Sequence, residues 1–407
     1  MGKKYNKYEK KDWKWVLFAV LPKLPAFLLA LPAVLLMRIL RPFIWVRLFP
    51  ISERIGHGAG NIDVYLLERK NGKHDDAKVI NIYYPNHPGR CNKQLVKMWA
   101  RVIPVFGLGR WLAWANDELP GGEPFHYHCT RGAADIYGFT NDAPPPFSFT
   151  PQEENHGQEV LRAMGIPVGK PFVCLLARDN AFLNKLLPAE DWYYHNYRDV
   201  NIDNYVMAVR ELVNRGYYVL RMGAVVNKRF PVALPSLIDY ANSPWRDDFM
   251  DMYLPSKCHF FISCGAGLDV VASLFRKELA FVNYIPCGYL VSWMKKGLII
   301  PKKLWLKKEK RFMKFREIIQ TDVGTFINTR LYEERGIECV ENSPEEVLDL
   351  IVEKEERMKG CWRTNEEDEE LQKRFWGLYK PDVRHNVFHA RIGAKFLMQN
   401  RDLLGSI

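Results

Sequence analysis

Several short stretches of this chain carry residues able to handle a phosphorylated ligand. Arg178 and Asp179 follow directly on an apolar run, PFVCLL. Arg198 and Asp199 stand ahead of a helical stretch, and Arg221 closes the run YYVLRM before Gly223. An arginine at the carboxyl end of a strand can fork onto two phosphate oxygens. Ser263, Cys264, Gly265, Ala266 and Gly267 follow another continuous apolar run. Glycines in such a place let backbone N–H groups approach a phosphate at a helix start. Asp269, one turn on, is placed either to accept from ribose hydroxyls or to favour the helix dipole. His57 lies between two glycines in RIGHGAG, and an imidazole titrating near neutrality suits a general base; Glu53 is the second candidate. Trp192, Tyr193, Tyr194 and Tyr197 could stack on a base or sugar or pack between domains. Each of these residues also has a plainer use, as a surface ion pair, a helix cap or a tight turn.

The elements that must position them form two strand–helix arrays. Residues 43–50 read as a strand, followed by the glycine-rich turn, an amphipathic stretch to 69, and a second strand at 78–84. Residues 91–102 have helical spacing, with Leu95, Met98, Trp99 and Val102 on one face. A proline-rich connector, 143–149, precedes Thr150-Pro151-Gln152-Glu153, the pattern of a capping box with proline at the first helical position. Strands follow at 171–176, 217–222, 259–263 and 279–283, with helices at 202–215 and 247–254. Ser343-Pro344-Glu345-Glu346 starts an acidic helix, and 376–407 reads as a helical tail outside the strand series. The expected organisation is a basic tail with a hydrophobic segment over 1–42, an N-terminal Rossmann-like domain over 43–148, a C-terminal one over 149–375, and the tail. The fold class is α/β, two Rossmann-like domains facing a cleft, with an N-terminal membrane-associating segment.

The formal charge of +11 over 407 residues is concentrated in two places. Residues 1–14 carry +4 and residues 295–316 carry +9, leaving the remainder at −2. A nucleic-acid binder spreads its cations along a recognition face, so this pattern argues against nucleic acid. Residues 15–37 are apolar apart from Lys23 but broken by Pro22, Pro25 and Pro32. The uncharged run 24–37 is too short for a spanning helix, and both flanks are basic. A segment that dips into one leaflet and returns is favoured over a single span or a buried core helix. Residues 295–316 alternate lysine and arginine with Leu, Ile, Trp and Phe, the composition of an interfacial contact with anionic lipid. The eight cysteines have no C-x-x-C spacing, which argues against a structural zinc site and for a reducing compartment.

The stretch HNYRDVNIDNYVMAVRELVNRGYYVLRMG at 195–223, with VCLLARDNAF before it and CHFFISCGAGLDVVASLFRKELAFVN after it, resembles a family of bacterial glycosyltransferases of surface-polysaccharide biosynthesis. The RIGH turn at 54–57 and ARIGAKFL at 390–397 are similar to it too. The resemblance implies GT-B-like architecture, a nucleotide sugar on the C-terminal domain and an acceptor facing the N-terminal one. It makes the donor a substrate and calls for no separate cofactor. No DxD triplet occurs, and Asp247, Asp248 and Asp251 read as the first turn of a helix. A metal-independent reaction using arginine and backbone N–H groups follows as the expectation. The donor-binding set is then Arg178, Asp179, Arg198, Arg221, Ser263, Gly265, Ala266, Gly267 and Asp269. The expected partners are a nucleotide sugar, a lipid-linked or glycan acceptor, and an anionic membrane surface met through 1–42 and 295–316 at the cytoplasmic face of the plasma membrane. The rivals are a nucleotide-sugar epimerase on the same scaffold and a non-catalytic sugar- or lipid-binding member of a polysaccharide assembly complex.

Overall fold

The computed structural model describes residues 24–74, 78–129, 133–186, 191–382 and 384–405. The basic tail and the start of the hydrophobic segment, 1–23, lie outside the described residues.

Helix α1 (Leu24–Leu40) contains Pro32 and leads into the N-terminal unit. Strand β1 (Trp45–Ile51), helix α2 (Ile55–Lys70) and strand β2 (Val79–Pro85) form one parallel βαβ unit, paired in register from Trp45 with Val79 to Ile51 with Pro85. Single bridges from Leu48 to His126 and from Tyr83 to Val105 widen it by one position on each side. Where a full N-terminal Rossmann-like domain was expected, the described residues form one parallel βαβ unit with two flanking bridges. Helix α3 (Lys93–Trp99) is capped by Asn92, whose side chain accepts from the Leu95 N–H at 2.8 Å, and helix α4 (Gly109–Asp117) packs against α1. Phe49, Ile51, Tyr65, Leu95, Met98 and Trp99 fill the core between these elements.

The glycine-rich stretch after β1 is helix rather than turn. Gly56, Gly58 and Gly60 all lie within α2, despite the roughly 1 kcal/mol that glycine costs a helix. Their value is close approach. A Cβ at Gly58 would sit 2.9 Å from the Ser52 carbonyl, and one at Gly60 would sit 2.4 Å from the Ala133 Cβ.

Helix α5 (Pro151–Ala163) opens the C-terminal unit with the expected capping box, Thr150 accepting from the Glu153 N–H and Glu153 from the Thr150 N–H. The strands in chain order are β3 (Phe172–Leu175), β4 (Tyr218–Arg221), β5 (Leu237–Ile238), β6 (Phe260–Ser263), β7 (Glu278–Tyr284), β8 (Leu298–Pro301), β9 (Lys303–Leu306), β10 (Arg311–Phe312), β11 (Ile337–Val340) and β12 (Arg391–Ile392). Seven of them form a parallel sheet in the order β12-β8-β7-β6-β3-β4-β5. Reading outward from β3, the chain builds β4 and β5 on one side, then crosses to lay down β6, β7 and β8 on the other. That is the doubly wound order, with its switch point between β3 and β6. Strands β3, β6 and β8 are buried throughout, which explains why they read as continuous apolar runs. Helices α6 (Val206–Asn214), α7 (Met250–Lys257), α8 (Asp269–Leu274), α9 (Pro344–Lys359), α10 (Glu366–Trp376) and α11 (Ala394–Gln399) pack around this sheet and each other. Ser343 caps α9 as its sequence predicts.

Two expectations are corrected here. Residues 295–316 do not form an apolar face toward lipid. Leu298, Ile299, Ile300, Leu304 and Phe315 are buried in the core, and β9 and β10 form a hairpin that β11 extends. Many of the cations are paired: Lys295 with Asp142, Lys296 with Glu278, Lys303 with Glu346 and Arg311 with Glu317. Alternation at period two marks a half-buried strand as readily as an interfacial segment. Residues 376–407 are also not a tail outside the sheet, because β12 joins it beside β8. Gln372 locks that strand in place, donating to the Ile392 carbonyl at 2.7 Å and accepting from its N–H at 2.9 Å.

Candidate active site

Three chain segments meet outside the carboxyl ends of the strands at the switch point. The loop after β3 carries Arg178 and Asp179. The loop after β6 carries Cys264 to Gly267. The start of α2, which follows β1 of the other unit, carries Arg54 and His57. The first two are tied together, since the Leu176 N–H donates to the Ile262 carbonyl at 2.8 Å and the Arg178 N–H to the Cys264 sulfur at 3.3 Å. The third meets them where two glycines face each other. A Cβ on Gly56 would lie 2.7 Å from the Gly267 Cα and 2.8 Å from its carbonyl oxygen. Backbone meets backbone here, so no side chain fits between the units. One turn along, Gly60 faces Val270 of α8, whose Cγ1 would be 2.7 Å from a Cβ there. Gly56, Gly60 and Asp63 share one stripe of α2 by helical spacing. Asp63 receives both arms of Arg276, at 2.6 and 3.0 Å, from just beyond α8. This bidentate pair pins the two units together over the glycine contact.

The remaining turn, Tyr193–Arg198, lies across the same place. Arg178 donates to the Asp199 carboxylate and, at 3.3 Å, to the His195 carbonyl. Arg198 donates to the Gly265 carbonyl. Beneath this turn the buried Lys302 donates to the carbonyls of Tyr197 at 3.2 Å and Asp199 at 2.7 Å. Thus one lysine of the segment first read as a lipid contact supports the site instead. Arg54 reaches across from the N-terminal unit, its guanidinium 5.6 Å from the centre of the Trp192 ring.

The result is a concentration of positive charge. His57 keeps an exposed edge, and its pKa is lowered by the protein around it and then by Arg54 and Arg198, against Glu53. His195 is lowered to about 4 by burial and then by Arg198, Arg178 and Arg54. Its buried Nδ1 has no hydrogen-bond partner among the described residues. Two neutral imidazoles beside Arg54 and Arg198 make a site suited to an anion, while Arg178, whose charge Asp199 meets, holds the turn in place. The first turn of α2 adds to this. Its N-cap, Arg54, makes no side-chain capping bond, so the leading N–H groups of a sixteen-residue helix have no intrahelical acceptor.

The sequence candidates divide accordingly. Arg178, Arg198 and His57 come together, and Glu53 stands beside them with Asn86 donating to it at 3.3 Å. Asp179 is turned to the backbone, accepting from the N–H groups of Ala181 at 3.0 Å and Asn227 at 2.8 Å. Arg221 is 1% exposed and donates to Asp239 at 3.2 Å and to the Lys228 carbonyl at 3.1 Å. It braces the loop after β4 rather than opening to a ligand. The Ser263–Gly267 loop also differs from expectation. Ser263 accepts from the Gly265 N–H and donates to Asp269 at 2.6 Å, and Asp269 accepts from the Ala266 N–H at 2.9 Å. These N–H groups are spent inside the loop, and Asp269, raised to about 6 by burial against those hydrogen bonds, is a buried staple rather than a ribose contact. Gly265 and Gly267 serve geometry: Gly265 takes φ +78°, and Gly267 meets Gly56.

Among the aromatics, Tyr197 packs on Tyr332 at 5.5 Å and Tyr193 donates to Glu333, both within the C-terminal unit, while Trp192 lies parallel to the His195 ring at 6.1 Å. Asp247, Asp248 and Asp251 are engaged as a cap for Met250, an acceptor for the Lys93 N–H and a partner of Tyr240 and Arg246. Among the described residues no group of three or more His, Cys, Asp or Glu side chains is placed to hold a metal ion. Arg54 and His195 were not singled out by sequence, because nothing local marks a residue that acts across a domain seam.

The charge around His195 has a testable consequence. Its folded pKa lies below the ordinary 6.5, so the unfolded chain takes up a proton between pH 6.5 and 4 that the folded one refuses. Stability therefore falls as pH drops through that window. Nuclear magnetic resonance of the ring should show no titration between about pH 5.5 and 7.5. Added pyrophosphate should raise the pKa by about one unit, since an anion offsets the arginines. A ring that titrates normally without anion would contradict the geometry.

No family model and no curated protein matches this chain. Among solved structures it is similar to a glycosyl transferase family 9 protein from Veillonella parvula DSM 2008, at 9% identity and a TM-score of 0.44, covering 75% of this chain and 95% of that one. ADP-heptose LPS heptosyltransferase II of E. coli shows 13% identity and a TM-score of 0.31 over 76% of this chain and 99% of its own. The iron-containing dodecameric glycosyltransferase TibC of enterotoxigenic E. coli H10407 shows 13% identity and a TM-score of 0.32 over 59% of each chain.

Proposed function

We propose that this chain is a glycosyltransferase that moves a sugar from a nucleotide-sugar donor to a lipid-linked or glycan acceptor in surface-polysaccharide biosynthesis, at the cytoplasmic face of the plasma membrane. The observation that carries this is the convergence of Arg54, Arg178 and Arg198 with His57 and His195 at the switch point of a doubly wound sheet. A nucleotide sugar presents a diphosphate whose charge grows as its bond to the sugar breaks. Fixed guanidinium groups and the first turn of α2 stabilise that charge more in the transition state than in the ground state. The acceptor hydroxyl attacks the anomeric carbon, the electron pair of the breaking C–O bond leaves with the diphosphate, and His57 takes the hydroxyl proton. The lowered pKa keeps His57 neutral near pH 7 and so able to accept it. Glu53 is the alternative base.

The test is calorimetry and product analysis over a panel of nucleotide sugars with lipid-linked acceptors. Transfer to acceptor is the expected outcome. Donor epimerised without acceptor would replace this function by an epimerase, and absence of any nucleotide binding would refute it.

A further inference from the structure

The face of β1 that α2 covers is not filled to its end. Side chains alternate along a strand, so Trp45, Arg47, Phe49 and Ile51 share that face. Phe49 and Ile51 pack in the core. Toward the amino end of β1 the core gives way to a cavity of about 350 Å³, at the small end of the range for ligand pockets. It is lined by Trp45 and Arg47 of β1, by Asn61, Val64 and Glu68 of α2, and by residues of the segment 124–129. That segment is held beside β1, with the Tyr127 N–H donating to the Leu48 carbonyl at 3.0 Å and the Tyr127 ring lying on Phe49 at 4.0 Å.

Two residues of this lining carry a buried polar atom without a partner. Trp45 Nε1 and Asn61 Oδ1 are withdrawn from solvent and have no hydrogen-bond partner among the described residues. The first is a donor and the second an acceptor. Groups that donate and accept at once, hydroxyls above all, satisfy both kinds. The charges around the cavity do not select an ion. Arg47 and Glu68 put one charge of each sign on the lining. The histidines each stand beside a carboxylate: His74 with Glu68 at 2.8 Å, His126 with Asp117 at 2.6 Å and His128 with Glu123 at 3.1 Å. Arg41, over the Trp45 ring at 5.4 Å, adds one cation against Asp117 and Glu123. Unlike the switch point, this cavity suits a neutral ligand rich in hydroxyls.

Its place ties it to the reaction. His57, Asn61, Val64 and Glu68 are spaced four, three and four residues apart, so they share one stripe of α2. Asn61 stands about 6 Å along the helix from His57, and His57 is exposed. The cavity therefore begins one turn beyond the base and runs away from the switch point. We propose that it is a carbohydrate subsite, holding a neutral pyranose unit of a glycan acceptor one step back from the hydroxyl presented to His57. This rests on the glycosyltransferase function above and makes the glycan, rather than the lipid, the part of the acceptor that this unit recognises.

The indole N–H resonance of Trp45 in the full chain, assigned by its absence from Trp45→Phe, reports on the cavity. The probes are the methyl glycosides of glucose, galactose, mannose, N-acetylglucosamine and rhamnose at millimolar concentration. At least one should move this resonance, and equally so with pyrophosphate present, because the anion goes to the switch point. Asn61→Ala should weaken that glycoside about three- to tenfold, the effect of one lost hydrogen bond, at an unchanged melting temperature. Val64→Trp, which fills the cavity, should abolish the shift. The proposal is overturned if no glycoside of the panel moves the resonance, as for a cavity that holds water alone, or if both variants bind like the parent. In transfer assays a methyl disaccharide should exceed the methyl monosaccharide as acceptor by about tenfold in kcat/KM, and Val64→Trp should remove the difference. Equal use of the two by the parent would overturn the link to the acceptor. No transfer from any nucleotide sugar, with the Trp45 shift intact, would instead count against the glycosyltransferase function and leave the sugar site standing.

Discussion

Arg198→Ala should lower kcat/KM for the donor by about 10²–10³-fold, the usual effect of removing one fixed donor from a developing negative charge. Arg198→Lys should recover only part of this, because an ammonium keeps the charge but not the fork. Arg54→Ala should cost a similar amount although it belongs to the other unit, and it carries a second signature. Arg54 depresses the pKa of both His57 and His195, so its removal raises them. The acidic limb of the pH–rate profile should then move to higher pH. A purely structural Arg54 would lower activity without moving that limb. Melting temperatures distinguish loss of chemistry from loss of fold, since Arg54 is exposed.

The second large effect concerns stability. Asp63→Ala should destabilise the protein by about 3–5 kcal/mol, because it leaves Arg276 mostly buried without its charge partner. Asp63 is 5% exposed and Arg276 reaches it with both arms. The melting temperature should fall on the order of 10 °C. The double variant Asp63→Leu/Arg276→Met should recover much of the loss, since an apolar pair of similar volume avoids the stranded charge. If Asp63→Ala melts like the parent, the pair does not hold the units together. Gly56 lies on the same stripe of α2, so Asp63→Ala should also reduce donor binding by loosening the glycine contact.

How far these features could be read from sequence depended on their range. The capping boxes at Thr150 and Ser343 are local and formed as their spacing indicates. Strands β3 and β6 announce themselves because burial on both faces demands unbroken apolar runs, and the carboxyl-end rule then picks out Arg178 and the Ser263–Gly267 loop. What that loop does was not readable. Whether its N–H groups face a ligand or Ser263 and Asp269 is decided by hydrogen bonds that composition does not encode. The run Gly56–Gly60 was read as a turn because glycine disfavours helix, yet tertiary contact with Gly267 and Val270 overrides that preference. Arg276 and Asp63 are 213 positions apart, and no local pattern joins them. Strand β12 has two residues and therefore no periodicity to detect.

That last strand has a consequence for how the protein is made. Its partner β8 ends at Pro301, and β12 begins at Arg391. At about 5–20 residues per second, a ribosome needs on the order of ten seconds to supply the intervening chain. During that interval the outer edge of β8 presents unpaired N–H and C=O groups, and edges of this kind recruit other strands. Aggregation of the nascent chain is therefore expected to peak in this window. Slowed translation between β8 and β12 should lower the soluble yield more than slowed translation ahead of β8.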